Sequence, residues 1–194
     1  MDIKEIKYNE FTDDIKQELI QLMIECTEFG DLGFTHPLSK ELSTRYWDKI
    51  ENELREDIEC RVLLIATIKN DQIVDQADKD DKKINKPIIV GSIQLSWDTL
   101  YNVCTHRGEV QKLMVKQSYQ GKGLSKLLLT SVEELAIKKN KVLLILDTNS
   151  SHSFSSQLYI KMGYSESGSI PMSSTYNNTF SATNHFHKIL KKNE

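Results

Sequence analysis

The sequence has few cysteines, no excess of basic residues and no long apolar run, and each lack argues against a class of protein. Its three cysteines, Cys26, Cys60 and Cys104, are odd in number and widely spaced, so we expect reduced thiols rather than a disulfide framework. No CxxC motif occurs, and a zinc site is not expected. The formal net charge of −3 argues against nucleic-acid binding. No run could cross a bilayer, and the N-terminal MDIKEIKYNEF lacks the apolar core of a signal peptide. We therefore expect a cytoplasmic protein with no nucleic-acid, membrane or metal partner.

The pattern of apolar residues indicates one mixed α/β domain over residues 1–194. We predict strands at 2–7, 61–68, 87–97, 109–115, 142–148 and in the final FHKIL; and helices over Asp13–Thr27, from Ser39, over about Gly123–Lys139 and near 153–162. A segment dense in charge, about 70–86, is interpreted as an exposed insertion within the domain.

The segment QGKGLS, residues 120–125, lies between a predicted strand and a leucine-rich predicted helix. Backbone amides at a helix N-terminus favour an anion, and Gly121 and Gly123 allow a phosphate to approach closely. Lys122 adds positive charge at the rim. A P-loop is excluded because GxxxxGK followed by Ser or Thr does not occur. A dinucleotide fingerprint fails because Lys126 occupies the third glycine position.

A third ligand, acyl-coenzyme A, is suggested by a resemblance. QGKGLS is similar to the acetyl-CoA-binding motif of the GNAT superfamily of N-acetyltransferases. That motif has Gln or Arg, any two residues, Gly, any one residue, and then Gly or Ala. In this sequence Ser125 stands at the last position, in place of Gly or Ala. The family's next motif is a buried strand followed by a helix with a tyrosine and then Gly-aromatic, and VLLILDT (142–148) with SSQLYIKMGY (155–164) resembles it. HRGEVQKLMV, GSIP and the N-terminal GDLGFTHPLS further resemble the subgroup that contains the tabtoxin resistance acetyltransferase.

The resemblance implies the fold and the acyl donor. It implies a single-domain GNAT fold, with a mixed, twisted sheet of six to seven strands, splayed central strands and helices on both faces. It also implies acetyl-CoA as cosubstrate, with no metal. The pyrophosphate would bind the glycine segment, and the pantetheine arm would bind the backbone of the strand before it. The implied binding residues are Leu113, Met114, Val115, Gln120, Gly121, Lys122, Gly123, Leu124, Ser125 and Ser156.

Three side chains are candidates for the chemistry. Tyr159 matches the family's tyrosine that donates a proton to the sulfur of coenzyme A; its other interpretation is a core residue. Glu109 and Asp147 lie on the strands that flank the expected cleft, and either could accept a proton from an ammonium group while the other holds it. Alternatively, Glu109 is a solvated strand end and Asp147 a turn residue. Asp31 could line the acceptor site or simply form a turn.

The resulting expectation is direct transfer of an acetyl group to a primary amine of a small molecule, either amino-acid-like or antibiotic-like. Two alternatives stay open: a protein or peptide N-acetyltransferase, and a catalytically silent regulator that binds acyl-CoA. The family's frequent dimers imply a possible homodimer.

Overall fold

Apolar segments of the chain form seven strands and four α-helices in the structure, a computed structural model that describes residues 1–30, 32–34, 36–55, 59–69, 87–176 and 179–190. The strands are β1 (Asp2–Ile6), β2 (Arg61–Ile68), β3 (Ile88–Ser96), β4 (Arg107–Val115), β5 (Leu143–Asn149), β6 (Ser165–Tyr176) and β7 (Thr179–Ile189). The helices are α1 (Asp13–Phe29), α2 (Lys40–Glu53), α3 (Leu124–Lys138) and α4 (Ser153–Lys161). The predicted charged insertion at 70–86 and Asp31 lie outside the described residues.

Polar caps start the first two helices. The Thr12 hydroxyl accepts a hydrogen bond from the Ile15 amide at 3.4 Å, and the Ser39 hydroxyl accepts one from the Leu42 amide at 3.1 Å. Such caps satisfy amides that have no partner within the helix. The prediction that the second helix starts at Ser39 therefore identified its cap.

The strands form one mixed sheet in the order β1-β2-β3-β4-β5-β7-β6. The β4–β5 pair is parallel and the other pairs are antiparallel. This agrees with the six to seven strands expected from the resemblance.

Helices cover both faces of the sheet, as predicted. In β2, Leu63 and Ile65 pack in one core cluster with Trp47 of α2, whereas the neighbouring Leu64 packs in a second cluster with Val132 of α3. Successive strand residues point to opposite faces, so the two clusters lie on the two sides of the sheet. We call these the α1/α2 face and the α3 face.

Strand β6 was not predicted, since the sequence indicated one strand after α4 where the structure has two. Its sequence, SESGSIPMSSTY, is rich in Ser and includes Gly and Pro, which disfavour a strand prediction. Strand β6 lies at the edge of the sheet and is stabilised by pairing with β7. At an edge, Pro171 is tolerated because it does not interrupt a central hydrogen-bond ladder. Irregular register between Glu166 and Gly168 and between Ile170 and Ser174 further obscures its alternation.

Candidate active site

The candidate site lies where β4 and β5 separate. Among the described residues, they are paired only through Arg107–Leu143, Gly108–Leu144 and Glu109–Ile145. Beyond this point, within the part of the chain that the structure describes, β4 pairs with β3 alone and β5 pairs with β7 alone. The facing strand edges therefore expose backbone groups that need another partner.

A bulge in β4 shapes one wall of this gap. Gln111 pairs with Gln94 and Met114 with Ser92, so Lys112 and Leu113 together lie opposite one residue of β3. Lys112 has a φ of 50°, in the left-handed region. A bulge of this kind redirects a side chain.

The Lys112 side chain connects the bulge to the segment between α1 and α2. Its Nζ donates to the carbonyl oxygen of Leu32 and lies 5.2 Å from the ring centroid of Phe34 and 5.7 Å from that of Tyr46. The segment after α1 is thereby held against the cleft.

A cleft of about 980 Å³ fills the gap and extends toward α4. The predicted site residues that line it are Glu109, Leu113, Met114, Val115, Gln120, Gly121, Ser125, Asp147 and Tyr159. Residues from four separate segments of the chain thus meet in one cavity.

Four other predicted residues do not line this cleft. The Leu124 side chain is only 1% exposed and packs in the core, so it could contribute only its backbone amide. Gly123 is the N-cap of α3, and the Lys122 Nζ lies 4.9 Å from the centroid of the Tyr119 ring. The Ser156 hydroxyl is buried and has no hydrogen-bond partner among the described residues.

The glycine segment has the backbone geometry of an anion site. Gly121 and Gly123 have φ values of 72° and 82°, which side-chain-bearing residues rarely adopt. Chain neighbours aside, no heavy atom of the described residues lies within 4 Å of where a Cβ would be. Within α3, Lys126 and Leu127 are the first to donate to the Gly123 carbonyl. The earlier amides of the helix therefore point toward open space at its N-terminus.

Gln120 fixes this segment to the end of β4. Its Nε2 donates to the Val115 carbonyl oxygen at 3.2 Å, and the Cys26 thiol lies 3.6 Å from the same oxygen. The glycine amides and the free edge of β4 are therefore held next to each other, which is the arrangement that a pyrophosphate with an attached arm requires.

Tyr159 is held rigidly at the wall of the cleft. It is 8% exposed, and its ring lies 5.7 Å from that of Phe186 and 6.0 Å from that of Tyr164. Burial, with a smaller effect of the Asp147 charge, raises the pKa of Tyr159 to about 12. The phenol is therefore protonated throughout the neutral range and can act as a proton donor.

The two candidate carboxylates lie on the same face of the sheet at the fork. Glu109 is paired with Ile145, and Asp147 follows two residues later on β5, so both side chains project on the α1/α2 face. Glu109 Oε1 accepts a hydrogen bond from Gln111 Nε2 at 2.7 Å. Asp147 is exposed to the cleft, and its charge acts on Tyr159.

A polar network that was not predicted from the sequence lies beside Glu109. It contains Tyr46, Glu53, Arg61, Gln94 and Gln111. Gln111 could have been found, because it lies two residues after Glu109 on one strand and therefore shares its face. Arg61 and Glu53 lie far from Glu109 in the sequence, and no local sequence pattern relates them to the site.

Two other properties of the described residues bear on the class of protein. No group of three or more His, Cys, Asp or Glu within the described ranges could hold a metal ion. None of the helices described is long and apolar enough to span a membrane.

A strand fork next to a glycine-rich helix N-terminus, with a protonated tyrosine and carboxylates in the same cleft, is the arrangement expected of an acyl-CoA-dependent N-acyltransferase. The comparison with protein families supports this class. The Acetyltransferase (GNAT) family model matches residues 40–164, about two thirds of the chain. The chain therefore belongs to the GNAT family and is an acyl-CoA N-acyltransferase.

Solved structures of the same fold are similar over nearly the whole chain. A ribosomal-protein-alanine N-acetyltransferase from Brucella melitensis has a TM-score of 0.70 at 16% identity, covering 98% of this chain and 100% of that one. The protein yncA from Salmonella typhimurium, solved with its cofactor acetyl-CoA, has a TM-score of 0.68 at 12% identity, covering 100% and 96%. A candidate phosphinothricin N-acetyltransferase has a TM-score of 0.70 at 14% identity, covering 98% and 100%. At these identities the likeness establishes the fold.

Proposed function

We propose that this enzyme transfers an acetyl group from acetyl-CoA directly to a primary amine of a small molecule, amino-acid-like or antibiotic-like. The observation that carries the proposal is that Glu109, Asp147 and Tyr159 line one cleft, which also reaches the glycine segment. A donor and an acceptor could therefore meet without a covalent enzyme intermediate.

The donor would be held by backbone groups. The amides at the start of α3, with Gly121 and Gly123, offer hydrogen bonds to the pyrophosphate, and the unpaired edge of β4 offers its backbone to the pantetheine arm. Ser156 on α4 stays a predicted contact of this ligand, although its hydroxyl is buried and does not line the cleft.

The acceptor must lose a proton before it can attack. A primary alkylamine has a pKa of about 10 and is mostly an ammonium at neutral pH. One of Glu109 and Asp147 accepts that proton while the other holds the amine by charge. The amine lone pair then attacks the thioester carbonyl carbon, and this step gives a tetrahedral intermediate.

Tyr159 completes the transfer. As the carbon–sulfur bond breaks, its hydroxyl gives a proton to the leaving thiolate, and the phenolate regains a proton from the acetylated nitrogen. The products are an amide and free coenzyme A, and the net proton released is the one taken by the carboxylate.

The acceptor class rests on two features. Two carboxylates at the fork suit a cationic group. The cleft volume of about 980 Å³ is of the size that holds a small molecule together with part of a cofactor. The resemblance to the tabtoxin resistance subgroup points the same way.

The decisive experiment is a panel of amines supplied with acetyl-CoA. It includes amino acids, aminoglycoside- and tabtoxin-like compounds, and peptides with free N-termini. Thiol release would be followed by a chromogenic reagent, and the product identified by mass spectrometry. A small-molecule amide is the expected product. Acetylation confined to peptides would overturn the acceptor class, and acetyl-CoA binding without transfer to any amine would favour a silent regulator.

A further inference from the structure

A continuous chain of hydrogen bonds runs across three strands to Glu109. Arg61 Nε donates to Glu53 Oε2 at 2.6 Å, and Arg61 Nη1 donates to Gln111 Oε1 at 2.9 Å. Gln111 Nε2 then donates to Glu109 Oε1 at 2.7 Å. None of the steps above uses Arg61, Gln111 or Glu53.

The strand register brings these residues together. Arg61 pairs with Ser96 on β3, and Ser96 pairs with Glu109 on β4. Two residues along the same two strands, Gln94 pairs with Gln111. Paired residues project on the same face, so the Arg61, Gln94, Gln111 and Glu109 side chains form a compact polar patch on the α1/α2 face.

Arg61 is fixed in this patch. Its side chain is 8% exposed, and the Glu53 carboxylate balances its charge. Its Nη1 also donates to Gln94 Oε1 at 2.7 Å, and that same oxygen accepts from the Tyr46 hydroxyl at 3.0 Å. The guanidinium is therefore held from several directions and cannot turn away from Gln111 without leaving buried groups unpaired.

The fixed guanidinium and the Glu109 carboxylate together fix the orientation of the Gln111 amide between them. Arginine only donates hydrogen bonds, so the amide oxygen of Gln111 must point toward Arg61. The amide nitrogen must then point toward Glu109, where it can only donate. An ionised Glu109 carboxylate only accepts, so it favours the same orientation; without Arg61, the Gln111 side chain would lose one of its two anchors and hold Glu109 less firmly.

Glu109 also differs from Asp147 in its surroundings. It lines the large cleft and a second cavity of about 270 Å³, whose wall includes Arg61, Ser96, Trp97 and Arg107. Asp147 lines the large cleft. Glu109 therefore faces a second polar cavity in addition to the cleft.

We infer that Arg61 and Gln111 are positioning residues, which fix the Glu109 carboxylate as the base and leave Asp147 to hold the ammonium. This inference rests on the proposed function. Gln111 anchors Oε1, so Oε2 is the oxygen left to receive the proton from the amine.

The test is a set of double-mutant cycles measured with the best amine from the panel. Gln111→Met keeps the length of the side chain but removes both hydrogen bonds. It should lower kcat by about tenfold to a hundredfold, as expected for a misoriented base, with the KM for acetyl-CoA unchanged. Gln17→Met, at an exposed position of α1, is the matched control and should leave both constants unchanged.

The partners of the cycle are Glu109→Gln and Asp147→Asn. If Gln111 acts through Glu109, adding Gln111→Met to Glu109→Gln should cause no further loss of kcat, whereas its effect should multiply with that of Asp147→Asn. Arg61→Lys keeps the positive charge but loses the forked guanidinium geometry. It should lower kcat in the same way as Gln111→Met, but by less. Melting temperatures verify that each variant is folded.

The outcomes are distinguishable. Two results in an active enzyme would overturn the inference but not the proposed function. One is a wild-type kcat in Gln111→Met. The other is a loss of kcat from Gln111→Met that multiplies with the loss from Glu109→Gln but disappears in the Asp147→Asn background. A folded wild-type chain that acetylates no amine would overturn the proposed function, and the inference with it.

Discussion

Glu109 and Ile145 are the last pair of residues that joins β4 to β5, and the cleft opens immediately beyond them. A candidate base therefore lies at the vertex of the fork, where the sheet itself fixes its backbone. The candidate acid, Tyr159, comes from α4 on another wall of the cleft. A thioester held between the two strands would have a proton acceptor and a proton donor on different sides, as acyl transfer to an amine requires.

The glycine segment provides the first prediction. Gly123→Asp places a negative charge at the helix N-terminus where the pyrophosphate would bind, so acetyl-CoA affinity should fall by at least about tenfold, or ~1.4 kcal/mol. The left-handed φ of 82° adds a stability cost of about 1–2 kcal/mol. Isothermal titration calorimetry measures the affinity, and circular dichroism verifies the fold.

Two further variants separate charge from backbone strain. Gly123→Ala carries the strain without the charge and should retain most of the affinity. Gly168→Asp puts the same residue at another positive-φ glycine with open space around it, on β6, and should bind acetyl-CoA like the wild type. Equal affinity in Gly123→Asp and the wild type would show that the pyrophosphate binds elsewhere.

Tyr159 provides the second prediction. Tyr159→Phe keeps the ring that packs on Phe186 but removes the acid, so kcat should fall by about 10²–10³-fold while acetyl-CoA affinity changes little. Tyr164→Phe is the matched control, because Tyr164 is also buried, at 3% exposed, and its ring packs on that of Tyr159. This variant should have the wild-type rate. Steady-state kinetics with calorimetry tests both, and an unchanged kcat in Tyr159→Phe would remove its role as acid.

The raised pKa of Tyr159 gives a third prediction, on stability at alkaline pH. The phenol titrates near 10 in the unfolded chain and at about 12 in the folded one, so the unfolded state loses its proton first. The stability contributed by the neutral phenol is complete below pH 10 and is lost as the pH rises toward 12. Relative to Tyr159→Phe, the wild type should lose about 1 kcal/mol of unfolding free energy between about pH 8 and pH 11.

Urea unfolding of both proteins over that range measures the difference. Groups that do not interact with Tyr159 titrate equally in the two proteins, so their effects cancel. Burial keeps Tyr164, whose raised pKa depends in part on Tyr159, protonated in the folded protein over this range. A constant difference across the range would mean that the phenol is not shielded from water as the structure indicates.

Local sequence patterns predicted most of the fold and part of the site. The strand at 61–68 and the helix after Gly123 have strong apolar periodicity, and the structure has them within one residue of the prediction. The polar edge strand β6 was missed because its stability comes from pairing with β7, which its own sequence does not encode. The polar network at Arg61 was not predicted either, because it depends on the register of three strands and not on a local sequence pattern.

Gly91 provides the fourth prediction, which concerns how the site is supported. A Cβ at Gly91 of β3 would lie 2.9 Å from the Met114 carbonyl oxygen, 3.1 Å from Leu128 Cδ1 and 3.3 Å from Leu124 Cδ2. Gly91→Ala therefore forces the β4 backbone at Met114, the first turns of α3, or both, to shift. We expect a loss of about 1–3 kcal/mol in stability, or about 3–10 °C in Tm, and weaker acetyl-CoA binding because the end of β4 or the helix N-terminus moves.

Gly30→Ala is the stability control for Gly91→Ala. Among the described residues, and its chain neighbours aside, its Cβ would meet only the Cys26 carbonyl oxygen at 3.6 Å, an ordinary contact, and the backbone there is extended. Differential scanning calorimetry should find Gly30→Ala close to the wild type and Gly91→Ala well below it. Equal melting temperatures for the two variants would show that α3 is not packed tightly on β3, and the glycine segment would then lack the rigid support that its proposed role requires.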